Sequence, residues 1–300
     1  MMQKFFLKLL INSSELLQYI KMSDVRLGFV TCVQLGLSCM QALYEVGGHL
    51  GIAITLNDDQ AVQKSGRVYI DDFCAKNNIP LVKSQNVNDQ VVINAIKSAD
   101  LDWLFIIGWS QIAQSELLSS VKKGVLGAHP TLLPVGRGHA AIPWAILKNL
   151  KETGVTLFKL DDGVDTGPIV MQKSIEVKPN TTATDLYMEF NFAHREIIKE
   201  AAPLIMNDGL SLIEQDNSKS TIWPERLPED GKINLEGSVY KAERLVRAVT
   251  RPYPGAFYID DSGDKVIIWS SSVVEKFPGL EYNFIEFYDG FLVLDEIEKC

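Results

Sequence analysis

The sequence predicts an α/β protein: a mostly parallel sheet with helices on both faces, followed by a small β-rich C-terminal domain. Three observations carry this. Short apolar runs alternate with amphipathic stretches through the first two thirds of the chain, as strand–helix units do. Beyond about Leu210 the pattern changes to short strands and turns. The 300 residues, 46% hydrophobic and 22% charged, supply enough apolar material for two globular domains.

Each element follows from local pattern. Val25–Thr31 reads as a buried strand and Gly36–Val46 as the helix after it. Leu50–Leu56 is a second strand, Ile70–Asn78 a helix and Pro80–Lys83 a short strand. Asp89–Ala99 is a helix leading into the apolar strand Trp103–Ile107; Ile112–Ser120 and Gly124–Ala128 repeat the unit. A Pro- and Gly-rich loop runs to Gly138, and a helix from about Ile142 to Leu150. Thr153–Leu160 and Ile169–Ile175 alternate as strands. Thr184–Asn207 is a long helix with Leu186, Phe190, Ala193, Ile197, Ala201 and Ile205 on one face. Asp208–Ser220 reads as linker. Gly255–Ile259, Lys265–Trp269, Phe284–Tyr288 and Phe291–Leu294 are the tail's strands. The expected division is 1–24 as an extension, 25–209 as the catalytic domain and 210–300 as the β-rich domain. No internal repeat or low-complexity segment is visible.

Composition excludes several functions. The net charge is −9, whereas nucleic-acid binders carry a basic face. No run of 18 apolar residues exists to span a membrane. Cys32, Cys39, Cys74 and Cys300 have no C-x-x-C spacing and read as reduced thiols of a cytoplasmic protein. No metal-ligand cluster is visible, and no G-x-G-x-x-G follows the first strand. Met1–Lys21 fits an amphipathic helix better than a signal peptide, because Lys8 interrupts its apolar run; it is either a helical extension or sequence upstream of the true start.

The chemistry gathers just past a strand end, where open α/β sheets place their ligands. Gly127-Ala128-His129-Pro130-Thr131-Leu132-Leu133-Pro134 supplies an imidazole there, and Asp161-Asp162-Gly163-Val164-Asp165-Thr166-Gly167 a carboxylate-rich turn. An imidazole takes a proton near neutral pH, and a carboxylate fixes its tautomer. A structural histidine beside an ordinary Asp-Gly turn satisfies the same spacing. His49 and His194 read as structural, the latter as packing or surface. Lys64-Ser65-Gly66-Arg67 reads as an exposed loop, and Arg244, Arg247 and Arg251 as a solvated or interface face.

His129 to Pro134, Arg137-Gly138, Pro143-Trp144-Ala145-Ile146, Thr153-Gly154-Val155-Thr156 and Asp165-Thr166-Gly167 together resemble the signature of the 10-formyltetrahydrofolate-dependent formyltransferases. The family pattern is H-x-S-L-L-P, R-G, T-G-V-T and D-T-G, with Thr131 standing here in place of Ser. The resemblance runs from about Val25 to the C-terminus and implies a Rossmann-like formyltransferase sheet. Pro228-Glu229-Asp230-Gly231-Lys232-Ile233 and Pro252-Tyr253-Pro254-Gly255-Ala256-Phe257 resemble the C-terminal part of methionyl-tRNA formyltransferases and of sugar N-formyltransferases. From Leu210 to Cys300 there are 10 Lys+Arg and 17 Asp+Glu, a net of −7 that disfavours tRNA.

The resemblance implies formyl transfer from 10-formyltetrahydrofolate to the amine of a nucleotide-linked dideoxy-amino sugar, for surface glycan synthesis. It implies a homodimer through the C-terminal domain, as is common in the sugar branch. Methionyl-tRNA formyltransferase and a weakened folate-binding relative are the alternatives. It places the catalytic histidine on His129 and the catalytic aspartate on Asp165, 36 positions later. The family's asparagine, two residues before the histidine, falls on Gly127. Three readings follow: a backbone N–H replaces the lost amide, a donor such as His139, Gln111 or Ser110 swings in, or catalysis is lost. The folate loops fall on Gly108-Trp109-Ser110-Gln111-Ile112 and on Leu160, Asp161, Asp162 and Val164. Trp109 either shields the pteridine or packs. Thr31, Leu133, Pro134 and Arg137 are expected on the acceptor side, with Arg137 either contacting phosphate or pinning its loop.

Overall fold

The computed structural model describes residues 25–61 and 67–299. The expected N-terminal extension, Lys64-Ser65-Gly66 and Cys300 lie outside them. In chain order the strands are β1 (Leu27–Val30), β2 (Leu50–Leu56), β3 (Leu81–Ser84), β4 (Trp103–Ile106), β5 (Gly124–His129), β6 (Arg137–Gly138), β7 (Glu152–Lys159), β8 (Ile169–Glu176), β9 (Ile222–Trp223), β10 (Ala256–Ile259), β11 (Lys265–Val274), β12 (Phe284–Phe287) and β13 (Gly290–Lys299). The principal helices are α1 (Gln34–Glu45), α2 (Asp71–Lys76), α3 (Gln90–Ala99), α4 (Ser115–Ser119), α5 (Ala141–Leu147), α6 (Ala183–Met206) and α7 (Val239–Val249).

A seven-stranded sheet runs β3-β2-β1-β4-β5-β7-β8. Its first five strands are parallel and β7 and β8 antiparallel, so the mostly parallel expectation holds. Near-continuous apolar strands such as Leu27–Val30 suit a sheet covered on both faces. Alternation sorts them into two layers. Leu27, Phe29 and Phe105 pack with the apolar faces of α1 and α6. Val30, Ile54 and Leu104 pack with Val92, Ile93 and Ile96 of α3. Among the described residues no helix is long and apolar enough to cross a membrane.

α6 is anchored by a capping box: the Thr182 side chain accepts from Asp185 N, and the Asp185 carboxylate accepts from Thr182 N. Thr182→Ala is expected to cost about 1 kcal/mol in chemical denaturation. All six residues of the expected apolar face of α6 are buried. His194, on the same helix, is also buried rather than surface. Its Nδ1–H donates to the Phe190 carbonyl at 2.7 Å, and burial pushes its pKa down to about 4. The unfolded chain therefore binds the proton first as pH falls below 6.5, so stability drops progressively between about pH 6.5 and 4. The expected loss is about 3 kcal/mol. His194→Gln, followed by denaturant midpoints at about pH 7 and about pH 4, should flatten that slope.

Two expectations are corrected. The tail is not only strands and turns: α7 packs on the antiparallel sheet β10-β11-β13-β12 through Val239, Ala242 and Val246. Its alternating Val, Ala, Leu and Arg form an amphipathic helix. Arg247 is an interface residue, bonded to Glu243 and the Thr181 carbonyl. The stretch Asp208–Ser220 is not a loose linker either. Ile213 bridges Ile169 at the start of β8, and the chain then places β9 beside β6.

Candidate active site

β5 ends on His129, buried at the carboxyl edge of the sheet. Its Nε2–H donates to the Gly136 carbonyl at 2.7 Å, because a carbonyl can only accept. That leaves Nδ1 facing Asp165, with Oδ2 3.5 Å away. The same Oδ2 accepts from Gly138 N at 2.9 Å. Asp165 adopts φ 54°, a left-handed conformation that Asp tolerates, and this turns its carboxylate back toward β5. The His–Asp pair anticipated from sequence is thus brought together.

The loop after His129 is fastened by Thr156, known from sequence only as part of the T-G-V-T stretch, and by residues that sequence reasoning missed. Thr156 lies opposite His129 on β7; its hydroxyl donates to the Thr131 carbonyl at 2.7 Å and accepts from Leu133 N at 3.0 Å. Gln172 donates to the Leu133 carbonyl, and Thr221 accepts from Gly136 N. Arg137 is buried, and its guanidinium donates to Gln215 and Asn217 at 2.7 and 2.8 Å. Gln215 in turn donates to the carbonyls of Asp165 and Gly167. Of the two readings of Arg137, the geometry carries the loop-pinning one. No signal short of the folded path marks Gln215, which sits in what reads as linker. Gln215→Leu breaks this strut and is expected to cost about 2–3 kcal/mol by leaving a buried guanidinium partly unpaired; urea unfolding measures it.

Other expected acceptor residues move. Thr31 is fully buried, and its hydroxyl lies against the helix start at Gly36, where even a Cβ would collide at 1.7 Å. Leu133 is buried with Phe158 and Ile169. Both are packing residues, not lining ones. Pro134 stays partly exposed beside the site, and its carbonyl accepts from Thr221 N.

The two expected folate loops leave the strands on either side of β5, one after β4 and one after β7, where Leu160 N donates to the Val125 carbonyl. Gly108 takes φ 70°, and an added Cβ would lie 2.4 Å from Val33. Trp109 packs partly against the α3 layer and donates its indole N–H to Gln111. Gln111 also accepts from Val87 N and donates to the Gln85 carbonyl, so it braces a loop and does not face His129. Ser110 is exposed. Ser115 donates to Asp162 at 2.8 Å, joining the two loops. Asp161 accepts from Gly163 N and the Thr166 hydroxyl, closing its own turn. Ile112 and Val164, one on each loop, are 72% and 56% exposed, which offers two apolar surfaces to a flat ligand. Gly127 lies buried on β5, opposite Phe158; the Leu160 side chain fills the space beside it, 2.6 Å from where a Cβ would sit. Among the described residues no His, Cys, Asp and Glu group is arranged to hold a metal ion.

A buried imidazole facing a carboxylate at the end of a central strand makes His129 and Asp165 a candidate acid–base pair of an α/β enzyme. The chain belongs to the formyl transferase family. The family model described as formyl transferase matches residues 40–202, and the model of its C-terminal domain matches residues 227–293. A curated relative, the bifunctional polymyxin resistance protein ArnA of Wigglesworthia glossinidia brevipalpis, is 31% identical over 254 residues. That match covers 83% of this chain but 38% of the relative, so the chain spans well under half of its length. The fold is shared with an N-formyltransferase from Helicobacter canadensis, solved with folinic acid and dTDP-3-aminofucose. Its TM-score is 0.70 at 20% identity, over 91% of this chain and 100% of that one. WlaRD, a sugar 3N-formyl transferase, gives 0.67 at 22% identity over 92% and 97%. A methionyl-tRNA formyltransferase from Clostridium thermocellum gives 0.60 at 16% over 92% and 99%.

Proposed function

We propose that the chain transfers the formyl group of 10-formyltetrahydrofolate to the amine of a nucleotide-linked dideoxy-amino sugar, in the cytoplasm, for surface glycan synthesis. The observation that carries the chemistry is the His129–Asp165 pair, with one imidazole nitrogen fixed to Gly136 and the other turned to the carboxylate. The sugar amine attacks the formyl carbon. His129 Nδ1 takes the amine proton, and Asp165 stabilises the imidazolium that forms. Collapse of the tetrahedral intermediate breaks the bond to N10 of the folate, which leaves protonated as tetrahydrofolate. The exposed Ile112 and Val164 cover the folate ring, with Gly108 to Gln111 and Leu160 to Asp162 supplying the loops behind them. Pro134 lies on the acceptor side.

The acidic tail, net −7 from Leu210 to Cys300, supports a small anionic acceptor over tRNA. The test supplies 10-formyltetrahydrofolate with a panel of 3-amino and 4-amino nucleotide sugars, beside charged initiator tRNA, and follows tetrahydrofolate release. Turnover with one sugar and none with tRNA is expected. Turnover with tRNA alone assigns the methionyl-tRNA reaction instead, and folate binding without any turnover assigns a binding-only relative.

A further inference from the structure

We propose that Trp144, Lys148 and Arg226 form a seat for the acceptor's diphosphate, an assignment that rests on the nucleotide-sugar reading above. The Arg226 guanidinium lies 5.1 Å from the centre of the Trp144 ring, and Lys148 Nζ lies 5.3 Å from Trp144 and 5.9 Å from Trp223. Two cations therefore share one indole, each attracted by its ring. Neither pairs with a carboxylate among the described residues. Arg226 Nη2 donates to the backbone carbonyl of Asp230, whose own carboxylate accepts from Leu227 N. Burial holds the Arg226 guanidinium below its ordinary value, with the nearby Asp230 carboxylate opposing that shift only in part. A diphosphate carries charge on both of its phosphoryl groups, so it offers acceptors to the ammonium and bidentate acceptors to the guanidinium.

The cluster is tied to the catalytic pair through backbone. Gly138 N holds Asp165 Oδ2, His139 N donates to the Trp223 carbonyl, and the Trp144 indole N–H donates to the Pro224 carbonyl at 2.8 Å. The seat thus stands on the same strand pair, β6 and β9, that carries the Asp165 anchor. In a nucleotide sugar the diphosphate lies one hexose ring away from the reacting amine, which suits a seat beside the pair and not on it.

The test is calorimetric titration of the full chain with dTDP, UDP and GDP, with folinic acid and initiator tRNA titrated in parallel. One diphosphate is expected to bind, with Arg226→Gln and Lys148→Gln each weakening it about tenfold or more. Arg226→Lys should recover part of the affinity, and folinic acid should bind all variants alike. Lys148 is exposed, so its variant tests the seat even if Arg226→Gln unfolds. Unchanged diphosphate affinity in Lys148→Gln and in a folded Arg226 variant overturns the seat and leaves the nucleotide-sugar reading standing. Folinic acid bound with no diphosphate bound by the native chain overturns that reading itself. So does tRNA bound in place of any diphosphate.

Discussion

Asp165→Asn is expected to lower kcat about 100- to 10,000-fold while folate affinity stays within a few-fold, the range for loss of a positioned acid–base partner. The side chain keeps its shape, and one of its heavy atoms still meets Gly138 N. It loses the charge that Nδ1 of His129 faces at 3.5 Å. The imidazolium formed when the amine is deprotonated is then left without its counter-charge. His129→Ala should do at least as much, because it also frees the Gly136 carbonyl. Single-turnover kinetics separates this from a binding defect. An Asp165→Asn enzyme retaining more than about a tenth of kcat would remove the carboxylate from the mechanism.

The second expected result concerns Gly127. Gly127→Asn alone, although it restores the amide that the family resemblance places there, should give no gain in kcat. It should destabilise the chain by about 1–3 kcal/mol. The Leu160 side chain already fills that volume, and a Cβ at 127 would stand 2.6 Å from its Cδ2 and 3.5 Å from Phe158. In Gly127→Asn/Leu160→Ala the amide has room. An added oxyanion donor is then expected to raise kcat about 100-fold over Leu160→Ala. A higher kcat in Gly127→Asn by itself, at undiminished melting temperature, would show that Leu160 yields and that the packing argument is wrong.

What was legible in the sequence follows from how local each signal is. The strand–helix alternation survives because parallel strands buried on both faces need unbroken apolar runs, as in Leu50–Leu56 and Trp103–Ile106. His129 and Asp165 were legible because chemistry fixes their types. Thr31 and Leu133 were misplaced because proximity along the chain to a strand end says nothing of which way a side chain turns. Thr31 turns under the helix start, and Leu133 turns into the small cluster under β7. Thr156 showed only as part of the T-G-V-T stretch, and Gln172, Gln215 and Thr221 were invisible, because a polar residue that satisfies a distant backbone group carries no periodic mark. α7 was missed because its apolar positions are diluted by three arginine and lysine side chains over eleven residues. Donor candidates for the missing amide fared similarly: Gln111 is committed to Gln85 and Val87, while His139 is exposed beside Gly138.

The pairing of β6 with β9 fixes where this protein can be cut and rejoined. Arg137 finds its acceptors on Gln215 and Asn217, and Gly136 finds its acceptor on Thr221. All three acceptors come from chain that follows α6. A fragment ending at Gly209 would carry both His129 and Asp165 and still lack the clasp that shapes their loops. A chimera that borrows another relative's tail should therefore keep this chain through Trp223 and change partners only beyond it. In that sense residues 213–223 are the trailing edge of the unit that holds His129 and Asp165, and the natural seam for exchanging the tail lies downstream of them.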